Sequence, residues 1–327
     1  AEVTLKVLKG LEEILRVAPP SLVFVQGDTT TAFVGALAAF YRGIPVAHVE
    51  AGLRTFDRRQ PFPEEANRTM ISALADLHFA PTESAAANLL HSGIDGKSVH
   101  ITGNTVIDAL LNVTSVAHPL DAALANVLDE PNRRILLVTA HRRENQGGPI
   151  REICAAILKI VERVSDLTII FPVHLSPKVR EVVFPMLSGH PRIHLIAPQD
   201  YPAFCQLLKR SDVVLTDSGG IQEEAPSLAK PVLVMRDTTE RPEAVAAGVA
   251  RLVGTSMDRL VQETCLLFED SKAYSAMAQA VNPYGDGLAA DRIFHLSSGF
   301  LGVSLPNLAP QPFASSSQKP KHAHNIK

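Results

Sequence analysis

Val213–Glu224 reads VVLTDSGGIQEE, and this stretch decides the fold of the chain. Its apolar half predicts a short buried strand, and its last four residues predict the start of a helix. Between them, Asp217 and Ser218 favour a turn and a helix N-cap. Gly219 and Gly220 allow the backbone to turn sharply or to approach a ligand closely. The stretch therefore predicts a strand, a tight turn and a helix N-terminus.

A helix N-terminus directly after a glycine turn is typical of an anion-binding site, because free N–H groups and the positive end of the helix dipole converge there. Glu224 lies about one turn into the predicted helix, where a carboxylate can accept hydrogen bonds from sugar hydroxyls, as in dinucleotide-binding folds. The alternative is a turn that only joins a strand to a helix, which is common in α/β proteins. The flanking acidic residues favour a site for phosphate and ribose.

The composition fits a folded, two-domain protein. The chain has 327 residues, of which 46% are hydrophobic and 20% are charged, which is enough for two cores. A net charge of -3 argues against a nucleic-acid partner. Three cysteines without a CxxC pair predict no zinc site or disulfide framework and favour a reducing, cytoplasmic location. No segment is long and apolar enough to span a membrane, and no signal peptide is visible.

Alternating strands and helices predict an α/β fold with two doubly wound, Rossmann-like domains. The chain begins inside an amphipathic helix, so we expect the N-terminal domain to be truncated. The predicted parts are an N-terminal domain over 1–117, a linker over 118–133, a second domain over 134–283, a closing helix within 284–304 and a disordered tail over 305–327.

Acidic residues follow the predicted strands of the first domain. Asp28 and Glu50 come just after neighbouring strands, and Glu64 begins a helix after a polar loop. In open parallel sheets, ligands bind beyond the carboxyl ends of the strands. Each acid taken alone is more often a helix cap or a solvated side chain. Two acids at adjacent strand ends instead indicate an acid and base pair.

Basic residues follow strands of the second domain. His141 and Arg142 come after its first strand, and Arg236 and Arg241 follow another. Guanidinium groups bind phosphate bidentately, so these residues are candidates for a phosphate clamp, although a solvated basic turn is an equal alternative. His174 also follows a strand, where it either binds a second ligand or caps the next helix. The sequence contains neither GxGxxG nor a Walker A motif, so it does not predict an NAD or ATP site of those kinds.

The chain resembles the bacterial non-hydrolysing UDP-N-acetylglucosamine 2-epimerases from near Ala1 to about Leu296. Seven motifs in the order of that family carry the resemblance: Gln26–Thr31 (QGDTTT), His48–Arg54 (HVEAGLR), Pro63–Arg68 (PEEANR), Gly103–Asp108 (GNTVID), His141–Asn145 (HRREN), Thr216–Glu224 (TDSGGIQEE) and Arg236–Glu243 (RDTTERPE).

The resemblance implies a glycosyltransferase-B type fold with the active site in its cleft, and interconversion of UDP-N-acetylglucosamine and UDP-N-acetylmannosamine through 2-acetamidoglucal. It implies neither a metal nor another cofactor, and it implies a cytoplasmic bacterial enzyme of polysaccharide biosynthesis. We also expect a homodimer and activation by UDP-N-acetylglucosamine at a second site. By the resemblance, Asp28, Glu50 and Glu64 would perform the acid/base chemistry, and His141 would lie near the leaving diphosphate. Arg142 would bind substrate, Ser218, Gly219 and Gly220 the phosphates, Glu224 the ribose, Arg241 the diphosphate, and Gln199 and Phe204 the uridine. His174 would belong to the regulatory site.

One departure from the family pattern concerns the start of the chain. The family begins with a strand and a Gly-Thr-Arg-Pro-Glu turn that helps to bind substrate, and this sequence has neither. The alternatives are therefore a nucleotide-sugar-binding fragment without activity, a glycosyltransferase of the same architecture, or an epimerase that hydrolyses its product.

Overall fold

The structure, a computed structural model, describes residues 1–305 and 310–313 and divides into two compact units. Among the described residues, the first unit comprises 1–108 together with 283–305 and 310–313, and the second comprises 109–282. Most of the tail predicted over 305–327 lies outside the described residues. The predicted domain boundaries stay a prediction.

The first unit is a parallel sheet with helices on both faces. Its strands pair in the order β1-β2-β3-β4. Its elements are α1 (Glu2–Val17), β1 (Val23–Gln26), α2 (Thr30–Tyr41), β2 (Val46–Val49), α3 (Glu64–Leu74), β3 (Leu77–Ala80), α4 (Glu83–His91), β4 (Val99–Ile101), the start of α5 (Thr105–Ser115) and the last helix, Ala289–Phe300.

Alternation of side chains along the strands explains why both faces of this sheet are covered. Val46 packs with residues of α1, α2 and α3, whereas its neighbour Ala47 packs with Ile293 of the last helix. Successive strand residues point to opposite faces, and both are fully buried here. Strands buried on two sides are typical of parallel sheets.

The second unit contains a parallel sheet with the strand order β10-β9-β8-β5-β6-β7 among the described residues. The order reverses between β8 and β5, which pair directly. Its elements after α5 are α6 (Ala122–Leu128), β5 (Arg134–Thr139), α7 (Gly148–Arg163), β6 (Leu167–Pro172), α8 (Pro177–Leu187), β7 (Ile193–Ile196), α9 (Tyr201–Arg210), β8 (Val213–Thr216), α10 (Gly219–Ser227), β9 (Val232–Val234), α11 (Pro242–Ala246), β10 (Ala250–Leu252), α12 (Met257–Glu269) and α13 (Ser271–Ala278), and the last helix of the first unit is α14.

The predicted α/β fold class with two doubly wound units is confirmed. The sequence patterns also predict helices over 177–187, 201–210 and 257–269, and α8, α9 and α12 have these bounds. The linker predicted over 118–133 contains one short helix, α6. Sequence reasoning missed α11 and β10, which are short elements of five and three residues. In the described part of the chain, no helix is both long and apolar enough to cross a bilayer.

Two buried histidines on adjacent strands make the stability of the first unit depend on pH. His48 and His78 occupy paired positions on β2 and β3 and are 0% and 1% exposed. Burial lowers the pKa of each imidazole from 6.5 to about 4. Between those values the unfolded chain binds more protons than the folded chain, so folding stability falls as the pH drops below about 6.5.

We expect the free energy of unfolding to decrease from pH 7.5 to pH 5.0, by up to about 1.4 kcal/mol per pH unit for each histidine. Denaturant unfolding at a series of pH values measures this slope. His78→Gln removes one titrating group, so it should reduce the slope between pH 6.5 and pH 4. Equal slopes for His78→Gln and the wild type would contradict the assignment.

Candidate functional site

The acids of the first unit come together because β1 and β2 are parallel neighbours in register. Gln26 pairs with Val49, so both strands end at the same edge of the sheet. Glu50 follows β2 directly and has a φ of 63°, a left-handed conformation that costs a residue with a side chain about 1–3 kcal/mol and often marks a functional site. A Cβ atom added to Gly27 would lie 3.6 Å from a carboxylate oxygen of Glu50. The turn that carries Asp28 therefore lies against Glu50.

Helix α3 attaches to the turn after β1. Arg68 forms an ion pair with the carboxylate of Asp28, and the side-chain amide of Asn67 donates a hydrogen bond of 2.9 Å to the Asp28 carbonyl oxygen. Glu64 is the first residue of this helix and is half-buried. The structure thus connects the three predicted acids through one helix and one sheet edge of the same unit.

Glu65, next to Glu64, has a structural role. The sequence alone carries no sign that these two neighbouring acids differ. The Glu65 side chain is 2% exposed and accepts hydrogen bonds from the backbone N–H groups of Thr55 (3.0 Å) and Phe56 (3.1 Å). Arg68 lies 3.3 Å from the same carboxylate. Glu65 therefore anchors the loop before α3, while Glu64 has no ion-pair partner among residues 1–305 and 310–313.

Asp217, which directly follows β8, has a different role from the one that the sequence predicts. We expected Asp217 and Ser218 together to form the turn and the helix N-cap; Ser218 occupies the N-cap position, whereas the Asp217 side chain does not cap the helix. The Asp217 carboxylate is fully buried and accepts hydrogen bonds from the backbone of His141 and Arg142 (both 2.9 Å). The side-chain amide of Asn145 also donates to it at 2.9 Å. Local sequence carries no signal for these contacts, since the donors lie more than 70 positions away.

The charge of Asp217 is maintained by these donors. Burial would raise the pKa of this carboxyl, but hydrogen bonds from His141 and from the backbone N–H groups outweigh burial and lower it. The Nδ1 atom of His141 lies 2.9 Å from the carboxylate. The His141 ring also stacks on His174, with ring centroids 6.0 Å apart. His174 is exposed, and its Nδ1 atom accepts a hydrogen bond from the backbone of Ser176.

Two arginines lie at the N-terminus of α10. A Cβ atom on Gly219 would be 3.5 Å from Nη2 of Arg142 and 3.6 Å from Nη1 of Arg241. Arg241 donates a hydrogen bond of 2.7 Å from Nε to the buried carboxylate of Glu223. The Nε atom of Arg142 is buried and has no hydrogen-bond partner among the described residues. Two guanidinium groups at a helix N-terminus form an anion-binding arrangement.

Arg236 does not join this cluster as a free ligand. Its side chain is 8% exposed and forms ion pairs with Glu144 (2.7 Å) and Glu240 (3.1 Å). Glu240 also lies 3.9 Å from Arg241. Arg236 thus connects the loop after β5 to the loop that carries Arg241, and its role is to support the cluster.

Glu224, the predicted ribose ligand, has a partner that the sequence did not reveal. Tyr201 donates a hydrogen bond of 2.7 Å to its carboxylate. Burial raises the pKa of Glu224, the Tyr201 hydrogen bond opposes that change, and the nearby Glu223 adds to it. The predicted uridine residues lie at the same end of α9, since Gln199 precedes its N-cap and Phe204 is in its first turn.

The described residues contain no group of three or more His, Cys, Asp or Glu side chains arranged to hold a metal ion. The cysteines Cys154, Cys205 and Cys265 are buried and free. The contacts of Asp28, Glu50, Arg142, Arg241 and Glu224 can supply acid/base chemistry from carboxylates in the first unit, and binding of an anion with an adjacent hydroxyl-bearing group in the second.

Comparison with known proteins gives one family. A protein-family model described as UDP-N-acetylglucosamine 2-epimerase matches residues 1–297. The UDP-N-acetylglucosamine 2-epimerase of Escherichia coli K12 is 51% identical over 297 residues, which cover 89% of this chain and 79% of that protein.

Solved structures agree in fold. A putative UDP-N-acetylglucosamine 2-epimerase from Listeria monocytogenes superposes with a TM-score of 0.88 at 44% identity, over 96% of this chain and 82% of that one. The UDP-GlcNAc 2-epimerase of Neisseria meningitidis bound to UDP-GlcNAc gives a TM-score of 0.81 at 44% identity, over 91% and 81% of the two chains.

Arg142→Ala should weaken binding of inorganic pyrophosphate about tenfold or more, because a hydrogen bond to a charged group contributes about 1.5–3 kcal/mol. Isothermal titration calorimetry measures the dissociation constant. Arg143→Ala is the matched control, since Arg143 is the adjacent, exposed arginine. Equal affinities for the two variants would show that Arg142 does not bind the anion.

Proposed function

The chain belongs to the UDP-N-acetylglucosamine 2-epimerase family, and on that premise we propose that it interconverts UDP-N-acetylglucosamine and UDP-N-acetylmannosamine. The observation that carries the proposal is the placement of Asp28 and Glu50 at adjacent strand ends, with Glu64 on the helix that Asp28 holds. Inversion at a carbon next to an acetal requires groups that remove and return a proton, and carboxylates perform both tasks.

The second unit supplies the proposed binding site for UDP. The backbone N–H groups at Gly219 and Gly220 bind the phosphates, because they begin α10 and lack intrahelical partners. Ser218 contributes its hydroxyl, since its own N–H already donates to Thr216 Oγ1. Arg142 and Arg241 neutralise the diphosphate charge. The proximity of both guanidinium groups to Gly219 supports this assignment.

The nucleoside binds next to the phosphates in this proposal. Glu224 accepts hydrogen bonds from the ribose hydroxyls, and Tyr201 fixes the orientation of its carboxylate. Gln199 and Phe204 contact the uracil, one by polar contacts and the other through its ring. Their position at the start of α9, from which Tyr201 reaches Glu224, supports this arrangement.

The proposed reaction is an elimination followed by an addition. A carboxylate among Asp28, Glu50 and Glu64 removes the C2 proton, the C2–H electron pair forms the C1=C2 bond, and the C1–O pair leaves with UDP. The intermediate is 2-acetamidoglucal. A second carboxylic acid returns a proton to the opposite face of C2 while a UDP oxygen attacks C1, so atoms and charge balance. The imidazolium form of His141, with Nδ1–H held by Asp217, donates a hydrogen bond from Nε2 to the diphosphate as its charge develops.

Further expectations belong to the same proposal. UDP-N-acetylglucosamine also acts as an activator at a second site that includes His174, whose exposed ring stacks on His141.

The protein forms a homodimer, which fits the exposed apolar side chains of Leu5 and Tyr41 in one groove of the first unit. The buried, free cysteines fit a reducing cytoplasm.

Incubation with UDP-N-acetylglucosamine in D₂O should place deuterium at C2 while UDP stays attached, because the returned proton comes from a carboxyl group that exchanges with solvent. Proton NMR follows the loss of the C2–H signal and the appearance of the manno product. Release of free N-acetylmannosamine would indicate hydrolysis instead. An unchanged sugar, together with thermal stabilisation by UDP, would indicate binding without catalysis.

Asp28→Asn, Glu50→Gln and Glu64→Gln should each lower kcat by about 10²–10⁴-fold, the usual contribution of a general acid or base. The dissociation constant for UDP should stay within about threefold of the wild type, because the second unit binds UDP in this proposal. Steady-state kinetics and calorimetry measure the two quantities. Glu13→Gln removes an exposed acid of α1 and is the control. Retention of wild-type kcat in all three variants would refute the assignment.

A further inference from the structure

The Asp217 carboxylate is fully buried, and its hydrogen bonds all come from groups of the protein itself. A buried carboxylate is costly unless hydrogen bonds replace its hydration. Here the backbone N–H groups of His141 and Arg142 and the side-chain amide of Asn145 supply those bonds. The side-chain amide of Asn145 also donates to the carbonyl oxygen of Met235. The carboxylate is therefore directed into the protein, where it fixes the position of the 141–145 turn.

The same carboxylate determines which nitrogen of His141 carries a proton. An ionised carboxylate only accepts hydrogen bonds, so the contact of 2.9 Å requires the proton to be on Nδ1 of His141. Nε2 is then the nitrogen available to another group, and the side chain is 40% exposed. Proteins usually select a histidine tautomer through the hydrogen bond that one ring nitrogen makes, which leaves the other nitrogen for a ligand.

We infer that Asp217 is a positioning residue, which holds the Nδ1–H group of His141 and thereby directs Nε2 towards the diphosphate of the substrate, to which Nε2 donates once the ring carries its second proton. This inference rests on the proposed function, in which His141 contacts the leaving diphosphate. A buried carboxylate has the same relation to a histidine in Ser-His-Asp hydrolases, where it orients the ring without contacting the substrate. Asp217 remains charged at neutral pH because its hydrogen bonds lower its pKa.

His174 provides an internal reference for this inference. Its Nδ1 atom accepts a hydrogen bond from the backbone N–H of Ser176 at 3.1 Å. Neutral His174 must therefore carry its proton on Nε2, which is the opposite tautomer. The two stacked rings should give different nitrogen chemical shifts, and only the ring of His141 depends on Asp217.

The test is nitrogen NMR of the full chain with ¹⁵N-labelled histidine, at a pH where the rings are neutral. His141→Gln and His174→Gln assign the signals. We expect the Nδ1–H tautomer for His141 and the Nε2–H tautomer for His174. In Asp217→Asn the tautomer of His141 should change while that of His174 does not. We expect kcat to fall about 10²-fold, and KM to stay within about threefold.

Asp212→Asn is the matched control. The Asp212 carboxylate also accepts a backbone hydrogen bond, from Ile135 at 2.6 Å, but it lies at the opposite end of β5 and β8. That variant should keep both tautomers and the wild-type kcat, whatever its stability. A loss of kcat equal to that of Asp217→Asn would overturn the inference, because the loss would then follow from lower stability.

The wild-type spectrum tests the inference even if Asp217→Asn does not fold. An Nε2–H tautomer for His141 in that spectrum would overturn the inference. Failure of the proposed function has a separate signature. A wild-type protein that binds UDP but places no deuterium at C2 would refute the epimerase, and the tautomers would still report on Asp217.

Discussion

Parallel pairing in fixed register is the constraint on which both functional regions depend. On β1 and β2, the pairing of Gln26 with Val49 brings Gly27 and Glu50 to one edge of the sheet. On β5 and β8, the pairing of Thr139 with Thr216 brings the turn of His141 beside Asp217. A shift of register by one residue would turn each side chain to the opposite face. The apolar cores, by fixing the register, also fix the geometry of the polar groups.

Ion pairs keep the charged groups of each region in place before a ligand binds. Arg68 holds Asp28 in the first unit, and Glu223 holds Arg241 in the second. A buried ion pair adds little stability because both charges lose their hydration. Its benefit is a guanidinium or carboxylate that is already oriented, which is how preorganised sites stabilise charge at low reorganisation cost.

The sequence predicted most of the fold because local patterns determine it. Alternating apolar strands and helices identified both sheets, and α8 begins at Pro177, as the pattern predicts. The acids Asp28 and Glu50 were also predictable, because residues that follow parallel strands share one edge. The contacts of Asp217 were not predictable, since they require the register of β5 against β8. The same holds for Tyr201, whose partner Glu224 lies 23 positions away on another helix.

Two departures from regular structure lie at the candidate site residues, although others, such as the left-handed Asn132 and the hydroxyl of Thr264, which is unpartnered in the described part of the chain, lie elsewhere. Glu50 has a left-handed backbone conformation, and Nε of Arg142 is buried without a partner among the described residues. Each lies just beyond the carboxyl end of a strand in its own sheet. Natural sequences concentrate local conflicts at functional sites. Because the Nε atom of Arg142 is shielded from solvent, a phosphate in the proposed site would contact the Nη2 atom beside Gly219 instead.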